Sequence, residues 1–255
     1  MIKIAIVLAA GYKAIGWGFP DVPLVCPEAL LPIGEQYGGT PVARLCTQLE
    51  KLGWKSFVAV GRPGCRYTGM LNKAIKNPAS CFPVEAMPEA DKSPWTYDRL
   101  QYVAYYGIPL LMPDPDLKSY DNSAMQCIDM IGTDWWNTLA IIQCDFVWPD
   151  AGLRDVLAHE APCQVLVHNR HVITEILTPE TTRLYCKLGE SFRHRERWGW
   201  TLEMKRWPDG LPPEGKEFRE HVPYCFLSES DVCANDLDAP KDYVHLTKEW
   251  LPKYG

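Results

Sequence analysis

The chain opens with the apolar run IAIVL at residues 4–8, and Ala9-Ala10-Gly11 follows it directly. Five consecutive apolar residues are typical of a strand buried on both faces of a parallel sheet. Small residues followed by glycine allow a tight turn and let a ligand approach the main chain closely. In open α/β sheets, ligands bind just beyond the carboxyl ends of central strands. The stretch predicts a central strand, and it leaves open whether the turn binds a nucleotide or is a simple glycine turn.

Length and charge restrict the class of protein. The chain has 255 residues, a formal net charge of -6 at pH 7 and a pI near 5.6. This length suits one α/β domain, and the acidic balance argues against a surface that coats nucleic acid. No apolar run approaches the roughly 20 residues that span a bilayer, and the N-terminus lacks a signal-peptide pattern. We therefore expect a cytoplasmic protein that binds neither nucleic acid nor membrane, and homo-oligomerisation stays open.

Ten cysteines are scattered through the sequence. No two of them have the spacing of about two to four residues that is found in zinc knuckles. Several lie inside apolar patterns, where cysteine behaves as a small hydrophobic residue. We expect reduced and mostly buried thiols.

The residues after the glycine turn predict a βαβ unit. Thr40 is suited to cap a helix with Pro41 in its first position. The helix is predicted from about 42 to 52, where Gly53 closes it, and a second strand from 56 to 60. Strand, helix and strand in this order imply a parallel sheet.

The run LAAG at 8–11, PEALLPIG at 27–34, the helix beginning TPV and the strand ending in VG resemble the opening of the nucleotidyltransferase superfamily. Sugar-1-phosphate, choline-phosphate cytidylyltransferase-like and MobA-like enzymes belong to it. The resemblance implies an α/β fold, a three-layer Rossmann-like (GT-A-like) sandwich with a mostly parallel central sheet. It implies a single domain over 1–255, with an insertion or acceptor-side subregion at about 189–222. The implied reaction transfers a nucleotidyl group from an NTP to a phosphorylated sugar or small alcohol.

The middle of the chain predicts alternating helices and strands. We expect an amphipathic helix over 96–106, stopped by Gly107, and a third strand over 108–112. A further helix opens near Tyr120, with Asp121 or Asn122 as its cap. From the residues alone this is only a capped helix. The resemblance implies that Asn122 and the following Ser123 contact the nucleotide.

A second buried-strand pattern, TLAII at 138–142, leads into Gln143-Cys144-Asp145. An aspartate at the end of a buried strand is costly unless its carboxylate meets a cation or hydrogen-bond donors. As a hard oxygen ligand, Asp145 suits Mg²⁺ bound together with substrate phosphates. The alternative is that Asp145 caps the following turn or helix. In the superfamily this place reads GDxxF or GDxxL and its aspartate binds the metal; here Cys144 replaces the glycine.

The segment 232–243, VCANDLDAPKDY, resembles the closing DIDTPEDY-type motif of the same superfamily. The resemblance implies that a strand delivers a second acidic ligand there. Asp236 is the predicted partner of Asp145 for Mg²⁺ or Mn²⁺. Asp238 is predicted to cap a helix that begins near Lys241.

The resemblance also implies a set of nucleotide contacts at the first turn. They comprise Leu8, Ala9, Ala10, Gly11 and Tyr12. Two cationic residues of the family pattern are missing, because Glu28 occupies the place of the lysine in the PK motif and the loop arginine is replaced near Ile15. We expect Lys13 to compensate in part for the missing charge on the triphosphate side.

The segment 193–219 is dense in arginine and tryptophan and predicts an insertion or a sheet-edge hairpin. Its arginines either bind a phosphate of the acceptor or, with the interleaved glutamates, form a solvated face. Three hypotheses on function remain: an active nucleotidyltransferase, a non-catalytic relative that binds a nucleotide or acts as a scaffold, and a glycosyltransferase of related architecture. The third ranks last, because the Asp-x-Asp spelling occurs only at 236–238.

Overall fold

The structure is a computed structural model that describes residues 1–9, 29, 31, 33–60, 102–105, 108–111, 120–167, 171–192, 213–227, 235–237 and 240–255. The strands in these ranges are β1 Lys3–Ala9, β2 Lys55–Val60, β3 Tyr102–Tyr105, β4 Ile108–Leu111, β5 Thr138–Gln143, β6 Phe146–Val147, β7 Cys163–Val167, β8 His171–Leu177, β9 Tyr224–Leu227 and β10 Asn235–Asp236. The helices are α1 Pro41–Lys51, α2 Tyr120–Ile131, α3 Asp150–Leu157, α4 Pro179–Phe192, α5 Pro213–His221, α6 Pro240–His245 and α7 Leu251–Tyr254. A 3₁₀ turn covers Glu35–Tyr37, and a π-helical turn, Leu246–Trp250, joins α6 to α7.

The described strands form one large sheet and one small pair. The large sheet has the order β3-β4-β2-β1-β5-β8-β7-β9, and β6 pairs with β10. Neighbours from β4 through β2 and β1 to β5 are parallel. Since β8 is antiparallel to both β5 and β7, and β9 is parallel to β7, only β3 and β8 run against the other strands. The predicted α/β fold with a mostly parallel sheet is confirmed.

Helices cover both faces of the sheet. Along β1, Ala5, Val7 and Ala9 join one hydrophobic core, whereas Ile4, Ile6 and Leu8 join the other. The first core is closed by α1, α3 and the helical turns 246–254, and we call this side the first face. The second core is closed by α2, α4 and α5, and this side is the second face. The three layers follow from this alternation, because successive side chains of a strand point to opposite sides.

Helix α1 forms as its sequence predicts. Thr40 has extended backbone angles, and its Oγ1 accepts a hydrogen bond from the Ala43 amide at 3.3 Å. Pro41 occupies the first helical position, where no amide proton is required. Gly53 follows the end of the helix with φ of 78°, the left-handed conformation that favours glycine. β1 and β2 on either side are parallel, so the predicted βαβ unit is confirmed.

The helix predicted over 96–106 is wrong for the residues that the structure describes. Tyr102–Tyr105 is strand β3, and it pairs antiparallel with β4, Tyr105 lying opposite Ile108. Tyrosine and valine favour a pleated strand, and the glycine at 107 permits the chain to reverse. Residues 96–101 lie outside the described ranges.

Two further boundaries differ from the predictions. Helix α2 begins at Tyr120, so Asp121 and Asn122 lie in its first turn and neither is the cap. An acidic side chain is also favourable there, since the first turn carries a partial positive charge. Residues 213–219 belong to helix α5, so the described part of the arginine-rich segment is not a hairpin. Residues 193–212 lie outside the described ranges.

Helices α2 and α4 come very close at Gly189. A Cβ atom at this position would overlap the Sδ of Met125. Gly189 therefore has no room for a side chain, and the second face depends on a close contact between these helices.

The cysteines that the structure describes are Cys46, Cys127, Cys144, Cys163, Cys186 and Cys225. All six are free thiols, and the first four are buried, as predicted. Among the described residues, no helix has the length and apolarity needed to cross a membrane.

Candidate active site

The central strands β1 and β5 end together at the place where the chain order of the sheet reverses. From β1 the chain proceeds through β2 to β4 on one side, and then returns through α2 to β5 on the other side. Gln143, the last residue of β5, lies opposite Leu8, and the Cys144 amide donates to the Leu8 carbonyl at 3.3 Å. Such a switch point opens a crevice at the carboxyl ends of the strands.

Asp145 lies at this carboxyl edge. It occupies the bend between β5 and β6, its side chain is half-buried, and its Oδ1 is shielded from solvent. Pro149 is the residue that precedes the first turn of α3. Asp145 is therefore too far upstream to be the cap of that helix, which removes one part of the alternative interpretation.

Strand β10 brings the main chain of Asp236 to the same edge. In the antiparallel β6–β10 pair, Asp236 lies opposite Phe146, the residue that follows Asp145, and Asn235 lies opposite Val147. Leu237, directly after β10, is fully buried in the first core. The backbone thus places two aspartates of distant sequence position next to each other. Asp238, the predicted cap of α6, lies outside the described residues, and that helix begins at Pro240.

The structure describes only some of the residues that are predicted to contact the nucleotide at the first turn. Leu8 and Ala9 belong to β1 and pair with Ala59 and Val60 of β2. Their side chains are buried in the cores, so any contact with a nucleotide would come from the main chain. Ala10, Gly11, Tyr12 and Lys13 lie outside the described residues, as does Glu28.

Asn122 and Ser123 lie at the start of α2. The helix ends at Ile131, and after a short connection the chain enters β5 at its amino end. A helix of twelve residues is about 18 Å long, which returns its first turn towards the carboxyl edge of the sheet. The predicted nucleotide contacts Asn122 and Ser123 are therefore placed on the same edge as Asp145, and Ser123 is half-buried.

Sequence reasoning missed two buried polar residues of α1. Arg44 is 9% exposed and Gln48 is 4% exposed. Arg44 donates from Nε and Nη2 to the Trp148 carbonyl at 3.1 and 3.0 Å, and from Nη1 to the Tyr37 carbonyl at 3.2 Å. Gln48 donates from Nε2 to the Trp148 carbonyl at 2.9 Å and to Asp150 Oδ1 at 2.8 Å. In the sequence, the two are four residues apart between apolar positions, as polar residues on the solvent-exposed face of a helix are.

Burial lowers the pKa of the Arg44 guanidinium from its ordinary value, and the nearby carboxylate of Asp150 acts in the opposite direction. The Nη2–Oδ1 distance to Asp150 is 3.8 Å, and the Asp150 side chain is largely exposed. Main-chain carbonyls are therefore the principal partners of this buried cation.

The donor set is compatible with a magnesium ion. Mg²⁺ commonly takes one or two carboxylates and completes its coordination with water and substrate phosphates. Within the described ranges, no three or more histidine, cysteine or acidic residues cluster so that they could hold a metal ion. Two carboxylates, as Asp145 and Asp236 would supply, suit an ion that takes its other ligands from water and substrate.

Comparison with known proteins bears on the fold. No protein-family model matches the chain, and no curated protein matches its sequence. Among solved structures, the inositol-1-phosphate CTP transferase from T. maritima is similar over 100% of this chain and 98% of its own, with a TM-score of 0.56 and 12% identity. A UDP-glucose pyrophosphorylase in complex with UDP-glucose is similar over 99% and 100%, with a TM-score of 0.56 and 10% identity. HddC from Yersinia pseudotuberculosis follows at 0.53 and 11%.

The chain has the fold of the sugar-phosphate nucleotidyltransferases. The likeness covers 97% or more of this chain in each case, which fits the α/β architecture described above. At this level of identity it establishes the nucleotidyltransferase fold and leaves the chemistry to be argued from the residues of this chain.

Proposed function

We propose that this chain is a metal-dependent nucleotidyltransferase that transfers a nucleotidyl group from an NTP to a phosphorylated sugar or small alcohol and releases pyrophosphate. The observation that carries the proposal is the backbone juxtaposition of Asp145 and Asp236, through the β6–β10 pair, at the carboxyl edge beside β1. The nucleotidyltransferase-like fold supports it.

In this reaction, a phosphate oxygen of the acceptor forms a bond to the α-phosphorus of the NTP. The bond from that phosphorus to the bridging oxygen breaks, and pyrophosphate leaves with the electron pair. Catalysis of such a step depends mainly on orientation and on neutralisation of charge. When bound to Asp145 and Asp236, Mg²⁺ or Mn²⁺ would supply positive charge to the phosphates.

The remaining residues would bind and orient the substrates. Main-chain amides of Ala10, Gly11 and Tyr12 would donate to phosphate oxygens, as successive amides in a glycine turn do. Asn122 and Ser123 would contact the nucleotide from the first turn of α2. Lys13 would offset part of the triphosphate charge.

Glu28 favours a second candidate, a relative that binds a nucleotide or a sugar nucleotide without turning it over. A carboxylate in place of the motif lysine adds negative charge next to a triphosphate. Both candidates require nucleotide binding at the same edge, and they differ in whether pyrophosphate is formed.

The test is a pyrophosphate-release assay with Mg²⁺, each common NTP and a panel of phosphorylated sugars and alcohols. We expect one combination to release pyrophosphate, and Asp145→Asn to reduce the rate by about a hundredfold. Asp155→Asn, an exposed aspartate of α3, is the matched control and should leave the rate unchanged. If no NTP yields pyrophosphate and Asp145→Asn leaves nucleotide binding unchanged, the catalytic proposal is wrong and the binding relative is favoured.

A further inference from the structure

Arg44 joins three segments that border the carboxyl edge. Arg44 is a residue of α1, and its guanidinium donates hydrogen bonds to the carbonyls of Tyr37 and Trp148. Tyr37 belongs to the turn that follows the PEALLPIG segment, and Trp148 directly follows β6. A single side chain therefore bonds to a neighbouring turn and to a segment 104 residues away in the sequence.

The contact on the Tyr37 side is close-packed. Gly38 has φ of 98°, and a Cβ atom there would lie 3.0 Å from the Cβ and 3.1 Å from the Cα of Arg44. The Gly39 amide donates back to the Gly34 carbonyl at 2.9 Å, which closes this turn on itself. The turn is therefore seated directly on the backbone of α1 at Arg44.

Three side-chain hydrogen bonds hold the contact on the Trp148 side. The Trp148 carbonyl accepts from Arg44 Nε and Nη2 and from Gln48 Nε2, all at 2.9 to 3.1 Å. Charge-assisted hydrogen bonds are stronger and more directional than neutral ones, and the planar guanidinium fixes their geometry. Trp148 is itself fully buried in the first core. The exit of β6 thus has very little freedom to shift.

We propose that Arg44 is a positioning residue for the acidic edge: it fixes the exit of β6, and through the β6–β10 pair it holds Asp236 in register beside Asp145. The proposal rests on the proposed function in one respect, that this edge binds a divalent ion. Residues that support metal ligands from behind affect metal affinity although they touch no metal.

The test uses Mn²⁺ alone, titrated into the whole protein and followed by the EPR signal of the free ion. We expect the wild type to bind Mn²⁺ and Asp145→Asn to lose that binding. Arg44→Lys, which keeps the charge and loses the planar fork, should weaken binding by about tenfold. Arg154→Lys, on an exposed arginine of α3, is the matched control and should bind as the wild type does.

Hydrogen exchange separates positioning from general destabilisation. In Arg44→Lys, the amides of 146–148, 150 and 235–237 should exchange faster, while those of β1 and β2 keep the wild-type rate. If Arg44→Lys does not fold, Gln48→Met replaces it, since it removes two bonds to the same segment and should show a smaller shift of the same kind.

The proposal is wrong if Arg44→Lys binds Mn²⁺ with wild-type affinity or if hydrogen exchange rises uniformly over the molecule. It is also wrong if the wild-type protein does not bind Mn²⁺, or binds it independently of Asp145. The two proposals fail separately. If Arg44→Lys weakens Asp145-dependent Mn²⁺ binding but no NTP yields pyrophosphate, the positioning role stands and the catalytic function is wrong.

Discussion

The two faces of the sheet each contain an arginine beside a buried glutamine, but Arg44 is buried, Arg219 is half-buried, and the contacts of the two pairs differ. On the first face, Arg44 and Gln48 bond to the main chain that leaves β6, next to the acidic edge. On the second face, Arg219 donates from Nη1 to Gln164 Oε1 at 3.2 Å and to the Val222 carbonyl at 3.0 Å. Its guanidinium also stacks on the Tyr224 ring.

The difference shows what each arginine is connected to. Burial lowers the pKa of both guanidinium groups, so the contacts of Arg44 and those of Arg219 each surround a partly desolvated cation. The described partners of Arg219 lie directly after α5 and in the outer strands β7 and β9, at one end of the sheet. Those of Arg44 lie beside the switch point. The same chemistry therefore stabilises an edge of the sheet on one face and constrains the candidate site on the other.

The largest effect is expected at Gly189 on the second face, where the structure leaves no room for a side chain. Gly189→Ala places a methyl group on Met125 Sδ, and we expect the free energy of unfolding to fall by about 3 kcal/mol, as for overpacked cores. Urea unfolding measures it. Met125→Ala and the double variant complete the cycle. The steric explanation requires Gly189→Ala to cost much less in the Met125→Ala background, and equal costs in both backgrounds would contradict it.

A smaller effect is expected from Arg219→Met. It removes two hydrogen bonds and the ring contact, so the free energy of unfolding should fall by about 1–2 kcal/mol. Pyrophosphate release and Mn²⁺ affinity should stay at wild-type values, because the described partners of Arg219 lie at one end of the sheet, away from the acidic edge. A tenfold loss of Mn²⁺ affinity in this variant would remove the distinction between the two faces.

The smallest effect, about 1 kcal/mol at pH 10, concerns buried thiols, one on each face. Burial raises the pKa of Cys46 from 9.0 to about 12, the Ser56 hydrogen bond lowers it and Glu50 raises it; burial also raises the pKa of Cys127. A folded-state pKa above the unfolded one gives stability that is complete below pH 9 and is lost as the pH rises towards 12. We expect each thiol to reduce the free energy of unfolding by about 1 kcal/mol per pH unit in that window.

Urea unfolding between pH 7 and pH 11 checks this expectation. The difference between wild type and Cys46→Ala should be constant up to pH 9 and should shrink above it, and Cys127→Ala should behave likewise. A pH-independent difference for both variants would show that the thiols remain equally protonated in the folded and unfolded chains.

Local sequence patterns predicted the central part of the fold well. The apolar run of β1, the Thr40-Pro41 start of α1 and the TLAII run of β5 each follow from burial or capping, which act over a few residues. The strand over 102–105 was missed because its apolar spacing also fits a helix, and only pairing with β4 decides between the two.

The sequence predicted the acidic residues of the candidate site, but it did not predict the buried residues that hold the neighbouring segments in place. Asp145 is marked by its position after a buried strand, whereas the approach of Asp236 was implied only by the order of motifs. Its metal role remains a prediction. No local signal distinguishes Arg44 from a solvated arginine, because its partners are carbonyls of residues distant in the sequence.

The β6–β10 pair has a consequence for how the protein is made. Phe146 leaves the ribosome long before its partner Asp236 is synthesised, and the contact between them closes a long loop late. Until then, β6 is an unsatisfied edge, and the growing chain has only one half of its acidic pair. The proposed ion site can therefore form only after residue 236 has been synthesised.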